Sequence, residues 1–204
     1  LRLENRAPRP RRLNVTLYAE WVLGVERSVT QQYIVSTYDE GAHALLAHNA
    51  YSAEFGAAVA FVAASKPPHG LTADRSEFLG RLGTLQRPAA LERIGLAGTV
   101  DAGHDPCAAF QVHLDLPAEG SEEVTFLLGQ GADRATALAL VQRFQDHGQV
   151  QQAWQATRQT WDDILGAVQV QTPDLALNLL LNRWLLYQTL SCRVWGRAAL
   201  YQSS

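Results

Sequence analysis

Methionine is missing altogether, and lysine nearly so: Lys66 stands alone beside 16 arginines among the 17 cationic side chains. A chain that opens on Leu1 without methionine is expected to have been cut or processed at its N-terminus. The skew toward arginine reads as genome base composition, not phosphate binding. Two cysteines, Cys107 and Cys192, fall in different expected elements and form no CxxC pair. Two free, partly buried thiols in a reducing compartment are expected, not a disulfide. A formal net charge of -3 gives no basic footprint, so no nucleic-acid partner is expected. No signal peptide is visible, and no apolar run reaches the roughly 18 residues that a membrane span needs. The residues at hand therefore read as soluble and cytoplasmic. The six histidines are scattered. His43 and His48, five apart, suit neither a helical nor a strand pair of ligands, and a zinc site needs three or four that converge. No metal is expected.

What remains is ordinary globular material, 47% hydrophobic and 18% charged over 204 residues, enough for one or two domains. From residue 1 to about 130 the pattern is that of strands. Leu13, Val15, Leu17, Ala19, Trp21 and Leu23 alternate with Asn14, Thr16, Tyr18 and Glu20, a period of two that predicts a long half-buried strand. Stretches 31–39, 44–49 and 57–64 follow as shorter strands, and 65–70 as a surface loop. Stretches 107–116 and 122–128 flank Pro117, Glu119 and Gly120, turn residues by chemistry, and are expected to form a hairpin. Many strands with few helices between them argue for an antiparallel sandwich. The Asn14–Thr16 sequon sits in mid-strand and is read as chance.

The period changes after Gly131. Asp133 is placed to cap a helix bearing Leu138, Val141 and Phe144, which Gly148 then breaks. Val150, Trp154, Thr157, Trp161, Ile164 and Leu165 form a second apolar stripe. Thr172, Pro173 and Asp174 combine a capping hydroxyl, a first-turn proline and a first-turn acid, so a third helix is expected to run to about Trp195. Strands followed by helices make an α+β, mainly β chain with segregated modules. The boundaries expected are 1–130 for the sandwich, 131–171 for helical linkers and 172–204 for a further helical module.

Gly129, Gln130 and Gly131 follow a strand and open a helix, as a dinucleotide loop would. Arg134 replaces the third glycine of that fingerprint, and no βαβ unit surrounds it. A strand-to-helix hinge is the better reading. Asp74, Arg75, Ser76, Glu77, Phe78 and Arg81 mix both charges with an aromatic. That segment either folds on its own ion pairs or presents Arg75, Glu77 and Arg81 to vicinal sugar hydroxyls, which pair with guanidinium and carboxylate groups. Near the C-terminus an apolar helix becomes crowded with arginine, aromatic and amide side chains. Arg193, Arg197 and Tyr201 share one face of a continuing helix, with Gln202 beside them. A solvated, cation-bearing helix end is one reading. A sugar-binding rim, with an aromatic for stacking and Arg and Gln for hydroxyls, is the other. On that reading the chain stops at the edge of its own active site.

These strings, 13–24, 74–81 running on to 87–91, 105–109, 126–131 and 182–203, resemble glycoside hydrolase family 94, formerly glycosyltransferase family 36. The likeness extends in family order over nearly the whole chain. The resemblance implies a β-sandwich of galactose-mutarotase-like type, linker helices, and the first helix of an (α/α)6 catalytic barrel starting at 172. It implies an inverting glycoside phosphorylase or glycosyltransferase acting on β-glucans, of the cyclic β-1,2-glucan synthase group. Inorganic phosphate is then the co-substrate and no cofactor is needed. The catalytic aspartic acid and the phosphate ligands of the family fall beyond residue 204, so these residues alone are expected to be inactive. Arg197, Tyr201 and Gln202 match the family string at the pocket mouth and carry over as rim residues; Ser204 stands where the family usually has glycine. The partners implied are a β-glucan or oligosaccharide, the rest of the barrel and a homodimer mate, with an inner-membrane anchor elsewhere in the parent protein. The competing reading is a carbohydrate-binding or dimerisation module without chemistry.

Overall fold

The computed structural model describes residues 1–100, 103 and 105–196. The chain forms two compact units, Leu1–Val150 and Gln151–Ser204.

Strands of the first unit run in chain order as β1 (Arg2–Glu4), β2 (Arg11–Glu20), β3 (Ile34–Asp39), β4 (Ala44–Asn49), β5 (Val59–Ala64), β6 (Gly70–Asp74), β7 (Pro106–Leu116), β8 (Ser121–Glu123) and β9 (Phe126–Gly131). Short helices α1 (Arg27–Thr30) and α2 (Arg75–Leu79) interrupt them, and α3 (Arg134–Gln145) follows. One antiparallel sheet has the order β2-β7-β6, a second has β3-β4-β5-β9, and β1 pairs with β8. The antiparallel sandwich expected from the alternation is therefore present.

Its core lies between the two larger sheets. Phe110, Val112 and Leu114 of β7 meet Leu45 of β4 and Val62 of β5, all fully buried. Truncating one such ring, as in Phe110→Ala, costs about 3–5 kcal/mol. Outside the second sheet, α3 lays Ala137 and Val141 on Leu46, Phe61 and Ala63. Strand β5 is thus covered on both faces. Its six residues are all buried, and its sequence is continuously apolar instead of alternating. Outside the first sheet, Phe78 and Leu79 of α2 pack with Ala90 and Tyr18 on Ala109 of β7.

The expected hairpin does not form. The turn is there, with Gly120 N donating to Pro117 O at 3.2 Å. However, both edges of β7 are already taken by β2 and β6. The returning chain divides: β8 joins β1, and β9 crosses to the other sheet to pair with β5. Stretch 65–70, expected to be loop throughout, instead opens β6 at Gly70. Strand β2 ends at Glu20, so Trp21 and Leu23 lie past it.

Helix α3 begins where expected. Asp133 accepts from Thr136 N at 2.7 Å, and that backbone hydrogen bond holds its carboxyl below the usual range. The break after α3 falls at Asp146, which is extended, because its carboxylate accepts Gln149 N at 3.0 Å and starts the next helix. Gly148 lies within the first turn of that helix, α4 (His147–Gly166). Of the apolar stripe expected on α4, Leu165 is buried and Trp154 is 61% exposed.

In the second unit the cap is Asp174, not Thr172. Its carboxylate accepts Ala176 N at 2.8 Å and Leu177 N at 3.3 Å. The hydroxyl of Thr172 instead donates to Asp174 O and Asn178 Oδ1. A helix then runs through α5 (Leu175–Leu179), a π-helical stretch Leu180–Trp184, α6 (Leu185–Gln188) and a second π-helical stretch Thr189–Trp195. Helical dihedrals persist across every junction. Among the described residues, no helix is long and apolar enough to cross a membrane.

Candidate functional site

Two constellations lie in the segments singled out by sequence, and they take in some of the residues named there. The first lies where β2, α1, α2 and the entry to β7 converge. Tyr18 and Glu20, two apart on β2, point to one side of the sheet, and α2 brings Arg75 to them. Arg75 Nε donates to Glu20 Oε1 at 2.8 Å, as does the Tyr18 hydroxyl at the same distance. Arg27 of α1 reaches Glu20 Oε2 at 3.5 Å and also binds Asp105. Arg75 Nη1 donates to Asp105 Oδ2 at 3.4 Å. Two cations and two carboxylates thus close a ring, and Arg27 adds bonds to the carbonyls of Trp21 and Pro106.

The electrostatics follow from this ring. Burial alone pushes Glu20 up, but the hydrogen bonds from Arg75 and Tyr18 and the charge of Arg27 outweigh it, leaving the carboxyl below its ordinary value. The bond to Glu20 raises Arg75. Burial first, and then Glu20, raises Tyr18 well above the usual phenol range. Burial also raises the Cys107 thiol, which is therefore neutral and inert. Cys107 is fully buried and Cys192 exposed, both free, so the expectation of two half-buried thiols is met by neither.

Of the three residues proposed on this segment, Arg75 spends its donors inside the ring. Glu77 accepts from Ala97 N at 3.0 Å and pairs with Arg93 at 3.6 Å. Arg81 is exposed, with no hydrogen-bond or ion-pair partner among the described residues. Sequence reading picked out Arg75 but not Tyr18, Glu20, Arg27 or Asp105 as its partners. The usable signal was Tyr18 and Glu20 sharing the polar side of a strand.

The second constellation is the terminal helix. Asn178 and Asn182, four apart, hold the preceding extended segment as a strand would. Asn178 accepts Thr172 N at 2.8 Å and donates to Thr172 O at 3.0 Å. Asn182 treats Val170 in the same way, at 2.7 and 3.0 Å. Aromatic rings gather beside this segment: Trp161 lies 5.3 Å from Tyr187 and 5.1 Å from Trp195, between ring centres. Trp184 and Tyr187 are 6.0 Å apart. Arg183 pairs with Asp162 at 2.8 Å. A cavity of about 610 Å³ opens here, lined by Leu165, Leu179, Trp184 and Tyr187. Arg193 is exposed on the second π-helical stretch. Arg197, Tyr201 and Gln202 lie outside the described residues. Exposed indole and phenol faces with a nearby guanidinium can stack on a pyranose and pair with its hydroxyls.

Residues 1–147 match the family model for the glycosyl hydrolase 94 supersandwich domain, and residues 160–204 match that for the glycosyl hydrolase 94 superfamily catalytic domain. The chain is 40% identical to the cyclic beta-(1,2)-glucan synthase NdvB of Rhizobium meliloti (strain 1021), covering 100% of this chain and 7% of that protein. It is 25% identical to the N,N'-diacetylchitobiose phosphorylase of Vibrio furnissii, over 98% of this chain and 25% of the relative. The solabiose phosphorylase of Paenibacillus borealis is 27% identical, over 96% of this chain and 26% of its own length. The chain thus spans between 7% and 26% of the length of these relatives. With its sandwich and the helix that follows in the order of both family models, the chain belongs to glycosyl hydrolase family 94.

Proposed function

We propose that these residues are part of an inverting carbohydrate-active enzyme that acts on β-glucans, of the phosphorylase or cyclic β-1,2-glucan synthase type. The observation that carries this reading is the match of the whole chain to a glucan synthase at 40% identity. In the reaction envisaged, an aspartic acid outside these 204 residues protonates the glycosidic oxygen. Inorganic phosphate attacks the anomeric carbon from the opposite face, the C–O bond to the leaving sugar breaks, and a sugar 1-phosphate and a shortened glucan result. One carboxyl acid with an external nucleophile is the arrangement of inverting chemistry. No further cofactor is invoked.

Here the sandwich is the scaffold, and the C-terminal stretch of the sequence supplies part of the pocket rim through Arg193, Arg197, Tyr201 and Gln202, with Arg81 as a further sugar contact. Two π-helical stretches on the terminal helix favour the placement, since π-bulges occur frequently at functional sites. The apolar residues left exposed on it support a barrel partner supplied by the same polypeptide. Homodimerisation is part of the same reading. The free thiols favour a reducing, cytoplasmic location, with any membrane anchor elsewhere in the longer protein.

The test is phosphate-dependent shortening of a β-glucan. The longer protein is expected to release sugar 1-phosphate, and the 204-residue chain none. Release by the short chain, or none by the long one, would overturn the proposal.

A further inference from the structure

A second cavity lies in the first unit, between the loop after β2 and the loop joining β4 to β5. It is about 570 Å³ and is lined by Leu23, Asn49, Ser52, Glu54, Phe55 and Gln130. That volume falls within the roughly 300–1,000 Å³ of small-molecule sites. Two hydrogen bonds and one close packing fix its walls. Asn49 Nδ2 donates to Leu23 O at 3.0 Å, tying one loop to the other, and Asn49 Oδ1 accepts Tyr51 N at 3.1 Å. Gly24 leaves no room for a side chain, since a Cβ there would come within 2.4 Å of Thr30 Cγ2. Leu23 itself stands at φ +41°, a left-handed conformation that a branched side chain adopts only when its surroundings impose it.

The lining chemistry selects a ligand class. Phe55 is 59% exposed, and Tyr51, between two lining residues in sequence, is 75% exposed with its ring stacked on Tyr33 at 4.4 Å. The side chains of Glu54 and Gln130 have no hydrogen-bond or ion-pair partner among the described residues, so an acceptor pair and an amide donor stand open at the rim. No Arg, Lys or His lines the cavity. A phosphorylated or otherwise anionic ligand would meet one carboxylate and no counter-charge. A neutral pyranose offers an apolar ring face to the aromatic surface and hydroxyls to the amide and carboxylate.

We infer that this cavity is an accessory binding site for neutral saccharide, which holds a stretch of glucan chain on the sandwich at a distance from the reacting bond. The inference takes its ligand from the β-glucan reading above. The test uses the 204-residue chain and soluble linear β-1,2-gluco-oligosaccharides, titrated by calorimetry or NMR, so it does not depend on phosphorolysis. Phe55→Ala and Glu54→Gln are each expected to weaken binding by about ten-fold with an unchanged melting temperature, since the loss of one stacking or charged contact is of that size. Should Phe55→Ala melt early, Gln130→Ala carries the same expectation from an exposed position. Three results would overturn the inference. One is the absence of binding. Another is binding weakened by Arg193→Ala but by none of these variants, which would place the sugar on the terminal helix and leave the β-glucan reading standing. The third is concentration-dependent self-association that Phe55→Ala removes, which would make the cavity a contact between copies.

Discussion

Glu20 receives Arg75, Arg27 and the Tyr18 hydroxyl at once, and that convergence has a pH signature. Its carboxyl is depressed in the folded state below the ordinary 4.5. The stabilisation it brings is therefore complete above that value and is lost as pH falls through the lower, folded-state value. Replacing Glu20 with Gln should cost about 1.5–3 kcal/mol at neutral pH, the range for hydrogen bonds to charged groups, and progressively less as pH falls below 4.5. Thermal melting of both proteins across that range checks it; an equal loss at both ends would show that the ring contributes packing and no charge. Gly131 makes a second residue-scale case. A Cβ there would lie 2.3 Å from Ala137 N and 2.9 Å from Asp133 O, backbone atoms of the α3 start that cannot swing aside. Gly131→Ala should destabilise the sandwich by about 1–3 kcal/mol, measured by denaturant unfolding. The glycine that mimicked a nucleotide loop is thus explained by a helix set tightly against a strand. Local devices such as the Asp133 cap were legible in the sequence, because the capping carboxylate and the Thr136 N–H that donates to it lie within one turn. The ring was not, because Arg75 and Glu20 are 55 residues apart and Arg27 and Asp105 are 78 apart, and only the fold brings them together.

At the scale of elements, strands declared themselves when one environment governed their whole length. The 44–49 strand was read to the residue, and β5 to within two. Reading failed where a strand's partner decided its fate, as when 122–128 divided between two sheets. Strand β6 is five residues long, too short for a period to emerge. The terminal helix behaves differently. Leu175 is 72% exposed, Leu179 68%, Trp184 53% and Trp195 58%, so a run of apolar surface stands open. Contiguous patches of this kind drive association. The 204-residue chain should self-associate with rising concentration, and Leu175→Glu combined with Leu179→Glu should shift it toward monomer at an unchanged melting temperature. Analytical ultracentrifugation reads the effect, and a strictly monomeric wild type would contradict it.

For the whole molecule, the sequence sufficed for the sandwich and for the family, since both depend on patterns spread over many residues. The proposed pocket rim rests on spacing and resemblance, since Arg197, Tyr201 and Gln202 lie outside the described residues. Arg197→Ala is expected to leave the melting of the 204-residue chain nearly unchanged. In the longer protein it should lower turnover by about ten-fold or more, as the loss of one charged hydrogen bond to sugar does. A fall in stability with intact kinetics would make Arg197 a structural residue. The central claim is the inverting chemistry, and the most direct measurement is the anomeric form of the sugar phosphate that the longer protein releases from a β-glucan, followed by NMR from the first turnover. Inversion predicts the α-anomer, formed only when phosphate is present; release of the β-anomer, or of free sugar without any need for phosphate, would contradict the account.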